Sequence, residues 1–275
     1  MPVLIDTHAH LDEGIYGNDP DAIIGRALAD GVWTVTIGSD YDSSRKAIAI
    51  AERHPVGVYA AVGVHPCRVS GEPDDIILGL EKFGELAKHP KVVAIGETGL
   101  DYRNSPESAD GEGGAVSQRI RDGQKQVFGR FLQLSSEFRL PLLLHCREAH
   151  SDMLDILERW DRTSRVAGIG GIVHHFSGNW KDAKRYFDLD FMISTTGLLA
   201  YGAHQAEVFR KAPLDRIVLE SDCPHLTAVP WSQRRCEPTY LANVAVALAG
   251  LRQEPLGRIV KATTDNALRV LGKLG

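Results

Sequence analysis

Cysteine is scarce in this sequence. Only four of the 275 residues are cysteine, and no two of them form a Cys-x-x-Cys pair. The four are Cys67, Cys146, Cys223 and Cys236. A disulfide framework needs a denser set in an exported chain, and a zinc ribbon needs closely paired cysteines. The sequence therefore predicts reduced thiols in a cytoplasmic protein and excludes a ribbon-type zinc site.

Long apolar runs and an excess of basic charge are also missing. No apolar stretch reaches membrane-spanning length, and the chain does not begin with a basic stretch followed by an apolar region. The formal net charge of −5 excludes a broad basic surface, so any contact with nucleic acid would be local. We expect no membrane partner, a cytoplasmic location, and a monomer or weak oligomer.

Apolar runs and amphipathic segments alternate along the chain. The predicted strands are 3–5, 32–38, 56–64, 91–95, 141–144, 169–173, 191–195 and 216–222. Segments with apolar residues at helical spacing separate them. No G-x-G-x-x-G follows an early strand, which disfavours a doubly wound open sheet, and neither a repeat nor a linker divides the chain. The pattern predicts an α/β fold, a (β/α)8 TIM-type barrel, as a single domain over residues 1–275.

One segment breaks this alternation. Residues 103–123 are rich in Ser, Glu, Asp and Gly and show no apolar periodicity, which returns only at about residue 124. This composition is typical of a mobile loop. We therefore predict a loop insertion over 103–123 that follows the fourth strand and narrows the mouth of the barrel.

Residue types that bind metals recur at the ends of five predicted strands. They are His8 and His10, Glu97, His145, His174 and His175, and Asp222. Each alone has an ordinary structural explanation, such as a turn or a hydrogen-bonded core histidine. Strand ends converge on one mouth in a barrel, so five coincidences are improbable together. The set suits one or two divalent ions and a metal-bound hydroxide that attacks carbon or phosphorus.

The same strand ends carry six recognisable motifs. In chain order they are DTHAH at 6–10, GVHP at 63–66, GETGLDY at 96–102, LHCREA at 144–149, HHFSG at 174–178 and LESDCP at 219–224. This series resembles the TatD-type metal-dependent deoxyribonucleases, a family of amidohydrolase-like barrels. The resemblance runs from residue 4 to about residue 270 and includes RCEP at 235–238 and TDNA at 264–267.

The resemblance implies two metal sites that share one carboxylate. The implied ligands are His8, His10, Glu97 and Asp222 for one ion, and Glu97, His145 and His174 for the other. The implied cofactor is one or two divalent ions, Zn²⁺, Mn²⁺ or Mg²⁺.

The resemblance also implies catalytic roles for three residues, Asp222, Glu97 and His65. Glu97 would bridge the ions, and Asp222 would take a proton from the attacking water. His65 would lie beside the scissile phosphate, where Arg147 would bind a phosphate oxygen.

Three residues depart from the family pattern without removing a ligand. His175 stands where the family often has Cys, Cys236 where Asn is usual, and Phe131 where Gln is frequent. Side chains alternate along a strand, so at most one of the adjacent His174 and His175 is expected to face the metals. We predict that it is His174.

These observations favour a deoxyribonuclease, a phosphodiesterase that releases nucleotides from single-stranded or frayed DNA. Trp231, Arg234 and Arg235 follow the eighth strand and favour a nucleic-acid substrate through stacking and charge. The alternative is a binuclear-metal hydrolase of a small amide, ester or lactone, because the fold does not determine the substrate. A protein that holds metal without turnover is disfavoured by the presence of a candidate base, Asp222.

Overall fold

The computed structural model describes residues 1–11, 20–69, 73–103, 116–164, 166, 168–200, 203–225 and 235–274. It contains one eight-stranded sheet in which the strands follow chain order and neighbouring strands are parallel. The strands are β1 (Leu4–Ala9), β2 (Val32–Ile37), β3 (Val58–Val62), β4 (Val92–Asp101), β5 (Leu142–Arg147), β6 (Gly171–Val173), β7 (Phe191–Thr195) and β8 (Ile217–Leu219). A parallel bridge between Ala9 and Cys223 nearly closes the sheet. The predicted (β/α)8 barrel is confirmed.

Helices surround this sheet and connect its strands. Within the described residues they are α1 (Pro20–Ala29), α2 (Tyr41–Glu52), α3 (Asp74–Leu78), α4 (Leu80–Ala87), α5 (Gln118–Phe138), α6 (His150–Thr163), α7 (Trp180–Asp188), α8 (Ala203–Lys211), α9 (Leu241–Arg252) and α10 (Leu256–Leu271). No helix in these ranges is long and apolar enough to cross a membrane.

The buried apolar side chains form two separate clusters. The larger one packs strand residues against the surrounding helices. The smaller one collects residues from all eight strands, among them Ile5, Val35 and Leu143, and includes Ala267 and Leu271 of α10. Because successive strand residues face opposite sides, the smaller cluster fills the barrel and α10 packs against it. The apolar side chains pack the interior of the barrel, and the polar residues at the C-terminal ends of the strands remain available to form a site.

Three predicted strands extend further than the apolar pattern indicated. The first was predicted over 3–5, but β1 continues to Ala9, and the other two are β4 and β5. The fourth was predicted to end at residue 95 and the fifth at residue 144, but β4 continues to Asp101 and β5 to Arg147. Polar residues continue both strands because their backbone groups still pair across the sheet, from Thr98 opposite Leu144 to Asp101 opposite Arg147. Glu97 and His145 therefore lie within strands rather than in loops.

The predicted loop over 103–123 is wrong in its C-terminal part. Residues 104–115 lie outside the described residues, but α5 begins at Gln118, and Ser117 caps it by accepting a hydrogen bond from the backbone N–H of Ile120. The buried positions Ile120, Gly123 and Gln124 have helical spacing. Glycine and glutamine are not apolar, so the sequence showed no apolar periodicity here even though the face is buried.

We expect Ile120→Ala to destabilise the fold. The Ile120 side chain is fully buried, and removing such a side chain costs about 2–5 kcal/mol through lost burial and the remaining cavity. Urea unfolding would measure this change in the free energy of unfolding. The control is Glu137→Ala, an exposed site on the same helix, where a change within about 0.5 kcal/mol is expected. Equal stability of the two variants would place Ile120 outside the core.

Candidate metal centre

Backbone pairing between the first strand and the segment after β8 brings the first group of polar residues together. The N–H of Asp222 donates to the carbonyl of His8 over 3.0 Å, and the N–H of His10 donates to the carbonyl of Cys223 over 2.7 Å. Buried Asp6 reinforces this junction, since its carboxylate accepts from the backbone N–H of Ser221 over 2.9 Å. The side chains of His8, His10 and Asp222 therefore share one end of the barrel.

Four predicted ligands of the first ion converge there. The Nε2 atoms of His8 and His10 are 3.2 Å apart and lie 3.3 and 3.6 Å from Oε2 of Glu97. Oδ1 of Asp222 lies 3.9 and 3.8 Å from the same two nitrogens. A tetrahedral ion with bonds of about 2.1 Å holds its ligand atoms about 3.4 Å apart. The donor atoms and their spacing fit a divalent ion such as Zn²⁺.

A second group faces the other oxygen of Glu97. Oε1 lies 2.8 Å from Nδ1 of His145, 3.4 Å from Nε2 of His65 and 3.9 Å from Nε2 of His174. The ring nitrogens of His65 and His145 are 3.1 Å apart. Glu97 thus presents one oxygen to each group, which is the arrangement expected of a bridging carboxylate.

Carboxylates behind two of these histidines determine which ring nitrogen carries the hydrogen. Nε2 of His145 lies 3.1 Å from Oδ2 of Asp101, and Nδ1 of His174 lies 3.0 Å from Oε1 of Glu220. A carboxylate favours an N–H on the nitrogen that faces it, which in a neutral ring leaves the other nitrogen with a free electron pair. In both rings the other nitrogen faces Glu97. Burial lowers the pKa of each ring, but the neighbouring carboxylates outweigh it and raise the pKa, so this nitrogen carries a proton that a bound metal ion would replace.

His65 has the opposite arrangement. Its Nδ1 accepts a hydrogen bond from the backbone N–H of Cys67 over 3.0 Å, so a neutral ring carries its hydrogen on Nε2. Burial lowers the pKa of His65 to about 3, which keeps the ring neutral. His65 therefore offers an N–H donor towards Oε1 of Glu97 and the histidines that face it. Its distances from Glu97 and His145 alone would also suit a metal ligand.

Burial and neighbouring charge act on the acids of the site in opposite directions. Burial favours the neutral form of Glu97, but the surrounding histidines together outweigh it and hold its pKa well below the usual range. For Asp222 the effect of burial prevails over that of His174 and His8, and its pKa is raised. A carboxylate with a raised pKa is a better proton acceptor, as a general base requires.

The condition behind the prediction that His174 and His175 point to opposite sides is not met. The prediction assumed that strand geometry persists, but β6 ends at Val173, and His175 has a positive φ of 41°. Ligand atoms of His174, His175 and Asp222 consequently all lie within 4.8 Å of one another. His174 is the more buried of the pair, and its ring stacks on that of His8 with centroids 3.6 Å apart.

The residues predicted to bind substrate are only partly described. Arg147 is exposed at the C-terminal end of β5, and its two acidic neighbours pair with other cations. Glu148 pairs with Arg103 over 2.9 Å, and Asp152 pairs with Lys125 over 2.6 Å. Trp231 and Arg234 lie outside the described residues, whereas Arg235 begins a described segment and is exposed.

Three residues that support the site received no role from the sequence. Asp101 and Glu220 lie behind the predicted ligands His145 and His174, within the motifs at 96–102 and 219–224. Gln124 is buried: its side chain accepts from the N–H of Asp101 and donates to the carbonyls of Asp101 and Pro66. Gln124 thus connects the end of β4 to the loop that carries His65. It lies in the same helix as Phe131, which stands where the family often has Gln.

The barrel and its converging histidines and carboxylates define a metal-dependent hydrolase. The family model described as TatD related DNase matches residues 5–272, and the chain belongs to this family. An uncharacterized metal-dependent hydrolase, YabD of Bacillus subtilis, is 34% identical and covers 98% of each chain. A 3'-5' ssDNA/RNA exonuclease, TatD of Musicola paradisiaca, is 29% identical over 99% of this chain and 100% of its own.

Among solved structures, the TatD homologue YjjV of Escherichia coli superposes with a TM-score of 0.83. It is 28% identical, and the match covers 98% of this chain and 97% of that one. The similarity therefore extends over the whole barrel rather than over the motifs alone.

We expect His174→Asn to remove metal from one site and His175→Asn to leave both sites filled. Nε2 of His174 faces Glu97 at 3.9 Å. For His175, the only sign of a ligand is a ring nitrogen within 4.8 Å of ligand atoms of His174 and Asp222. Asn tolerates a positive φ, so the second change adds little strain. Elemental analysis after reconstitution with Zn²⁺ and gel filtration would measure the metal content. Metal loss in the His175 variant alone would exchange the two assignments.

Proposed function

We propose that the protein is a metal-dependent deoxyribonuclease that removes nucleotides from the ends of single-stranded or frayed DNA. The observation that carries this proposal is that the two carboxylate oxygens of Glu97 face two different groups of side chains. Two groups of metal-type donors face its two oxygens, and His65 directs an N–H towards the second group. This combination suits the attack of water on a bound phosphodiester, because metal ions and a neutral hydrogen-bond donor meet at one point.

The divalent ions, when bound, supply an activated water and offset the charge that develops on phosphorus and on the leaving oxygen. The ligands proposed for them are His8, His10, Glu97 and Asp222 for one ion, and Glu97, His145 and His174 for the other. Zn²⁺, Mn²⁺ and Mg²⁺ are the candidates, and the nitrogen-rich donor set favours Zn²⁺.

The remaining steps belong to side chains of the chain itself. Asp222 accepts a proton at its carboxylate, for which its raised pKa suits it. His65 donates from Nε2 to a phosphate oxygen and thereby fixes the position of the scissile bond. Arg147, exposed at the end of β5, binds a second phosphate oxygen with its guanidinium group.

The relatives give the proposal its substrate and its direction. Among them are proteins named 3'-5' ssDNA/RNA exonuclease, which supports a single strand as substrate and cleavage from the 3' end. The net charge of −5 fits an enzyme that contacts a few phosphates locally instead of coating a duplex.

We expect the protein to shorten a 5'-labelled single strand of DNA one nucleotide at a time in the presence of Mg²⁺, Mn²⁺ or Zn²⁺. Chelation should abolish the reaction and added metal should restore it, since the activated water depends on the ion. Gel analysis of a single strand, a blunt duplex, a frayed duplex and a single-stranded RNA would measure the preference. Turnover of small esters, amides or lactones with no cleavage of any strand would overturn the proposal in favour of the alternative.

We expect His65→Gln to keep both metal sites filled and to lower turnover by about 10²-fold, as the loss of one donor at a reacting oxygen does. Elemental analysis and kcat would be measured on the same preparation. Asp265→Asn, an exposed change on α10, is the control and should alter neither quantity. A His65 variant that loses metal would make His65 a ligand rather than a donor.

A further inference from the structure

A further buried carboxylate, that of Glu220, lies directly after β8 and carries no role in the proposed reaction. Its side chain is fully buried. Oε1 accepts a hydrogen bond from the backbone N–H of His175 over 2.7 Å and lies 3.0 Å from Nδ1 of His174. The carboxylate thus lies against one backbone N–H and one imidazole edge, both of which suit its charged form. A buried anion is retained only where cations or N–H donors compensate it.

The ring of His174 is stacked on the ring of His8. The centroids are 3.6 Å apart and the ring planes differ by 20°. Both rings direct Nε2 towards Glu97, at 3.3 Å for His8 and 3.9 Å for His174. The Nδ1 atoms are therefore on the edges that face away from Glu97. Two histidines that the proposed function assigns to different ions thus form one stacked unit.

Three polar atoms of this unit and of Glu220 have no hydrogen-bond partner among the described residues. They are Nδ1 of His8, Nδ1 of His174 and Oε2 of Glu220, and all three are buried; Nδ1 of His174 is close to Oε1 of Glu220, at 3.0 Å, but outside hydrogen-bond geometry. A ring nitrogen of His8, a ring nitrogen of His174 and a carboxylate oxygen of Glu220 lie within 4.8 Å of one another. Each ring can donate an N–H from Nδ1, and the carboxylate oxygen can accept one. Leaving buried polar atoms unpaired costs free energy, so their pairing is favoured.

We propose that Glu220 is a positioning residue shared by the two metal sites. Its carboxylate holds His174 through one oxygen and His8 through the other, each by its Nδ1–H. This fixes the tautomer of both rings and leaves both Nε2 electron pairs free for metal. The inference rests on the proposed function only for the assignment of His8 and His174 to different ions.

The proposal distinguishes Glu220 from Asp101, the other carboxylate behind a ligand. Asp101 contacts Nε2 of His145, which is proposed as a ligand of one ion only. Removing its charge should therefore weaken one site. Removing the charge of Glu220 should weaken both sites together, because one anion orients a ligand of each.

The test is calorimetric titration of chelator-stripped protein with Zn²⁺, without nucleic acid. We expect two binding steps in the wild type, about 10-fold or more weaker binding at both steps in Glu220→Gln, and weaker binding at one step in Asp101→Asn. Glu137→Gln, an exposed change on α5, should match the wild type. Visible absorption of the Co²⁺-loaded protein is a second measurement, and both sites should change their spectrum in the Glu220 variant.

Glu220→Asp keeps the charge but shortens the side chain, and it serves if the Gln variant does not fold. We expect it to recover part of the lost affinity, since the anion remains close to both rings. Wild-type affinity in both Glu220 variants, loss at one step only, or a single binding step in the wild type would overturn the proposal. Because metal binding is measured without substrate, an inactive nuclease with two coupled metal sites would reject the proposed function and leave this inference standing.

Discussion

The site depends on one buried carboxylate, that of Glu97. It lies within β4, almost completely removed from water, and its two oxygens face different groups of nitrogen atoms. A buried anion of this kind is stable only among hydrogen-bond donors or cations. The barrel supplies them from four other strand ends, so the position of Glu97 determines what the surrounding histidines can do.

The geometry around Glu97 follows from irregularities in the sheet. The pairing of β1 with β2 shifts register between Asp6 and Ala9, and that of β3 with β4 shifts between Ala60 and Ala61. A further shift in the pairing of β4 with β5 falls between Ile95 and Thr98. Such shifts change the direction of side chains locally. His8 and Glu97 lie within two of these shifts, so the irregularities are located where ligand side chains must leave the regular alternation.

Much of this architecture could be predicted from the sequence, and the exceptions have physical causes. Apolar runs located all eight strands, because buried parallel strands are almost continuously apolar. The same criterion ended β4 and β5 too early, since polar residues continue both strands into the site. It missed the start of α5 because Gly123 and Gln124 occupy its buried face. The φ of His175 depends on backbone contacts that sequence spacing does not reveal.

The roles of the histidines depend less on their motifs than on what lies behind each ring. His145 and His174 have carboxylates behind them, which places a hydrogen on the far nitrogen and turns the near nitrogen towards Glu97. His65 has a backbone N–H behind it, which places the hydrogen on the near nitrogen. Three rings near one oxygen therefore differ in chemistry, and we propose two of them as ligands and one as a donor. A sequence motif identifies the histidine, but the hydrogen-bond partner of its far ring nitrogen determines whether the near nitrogen can bind a metal or donate a hydrogen bond.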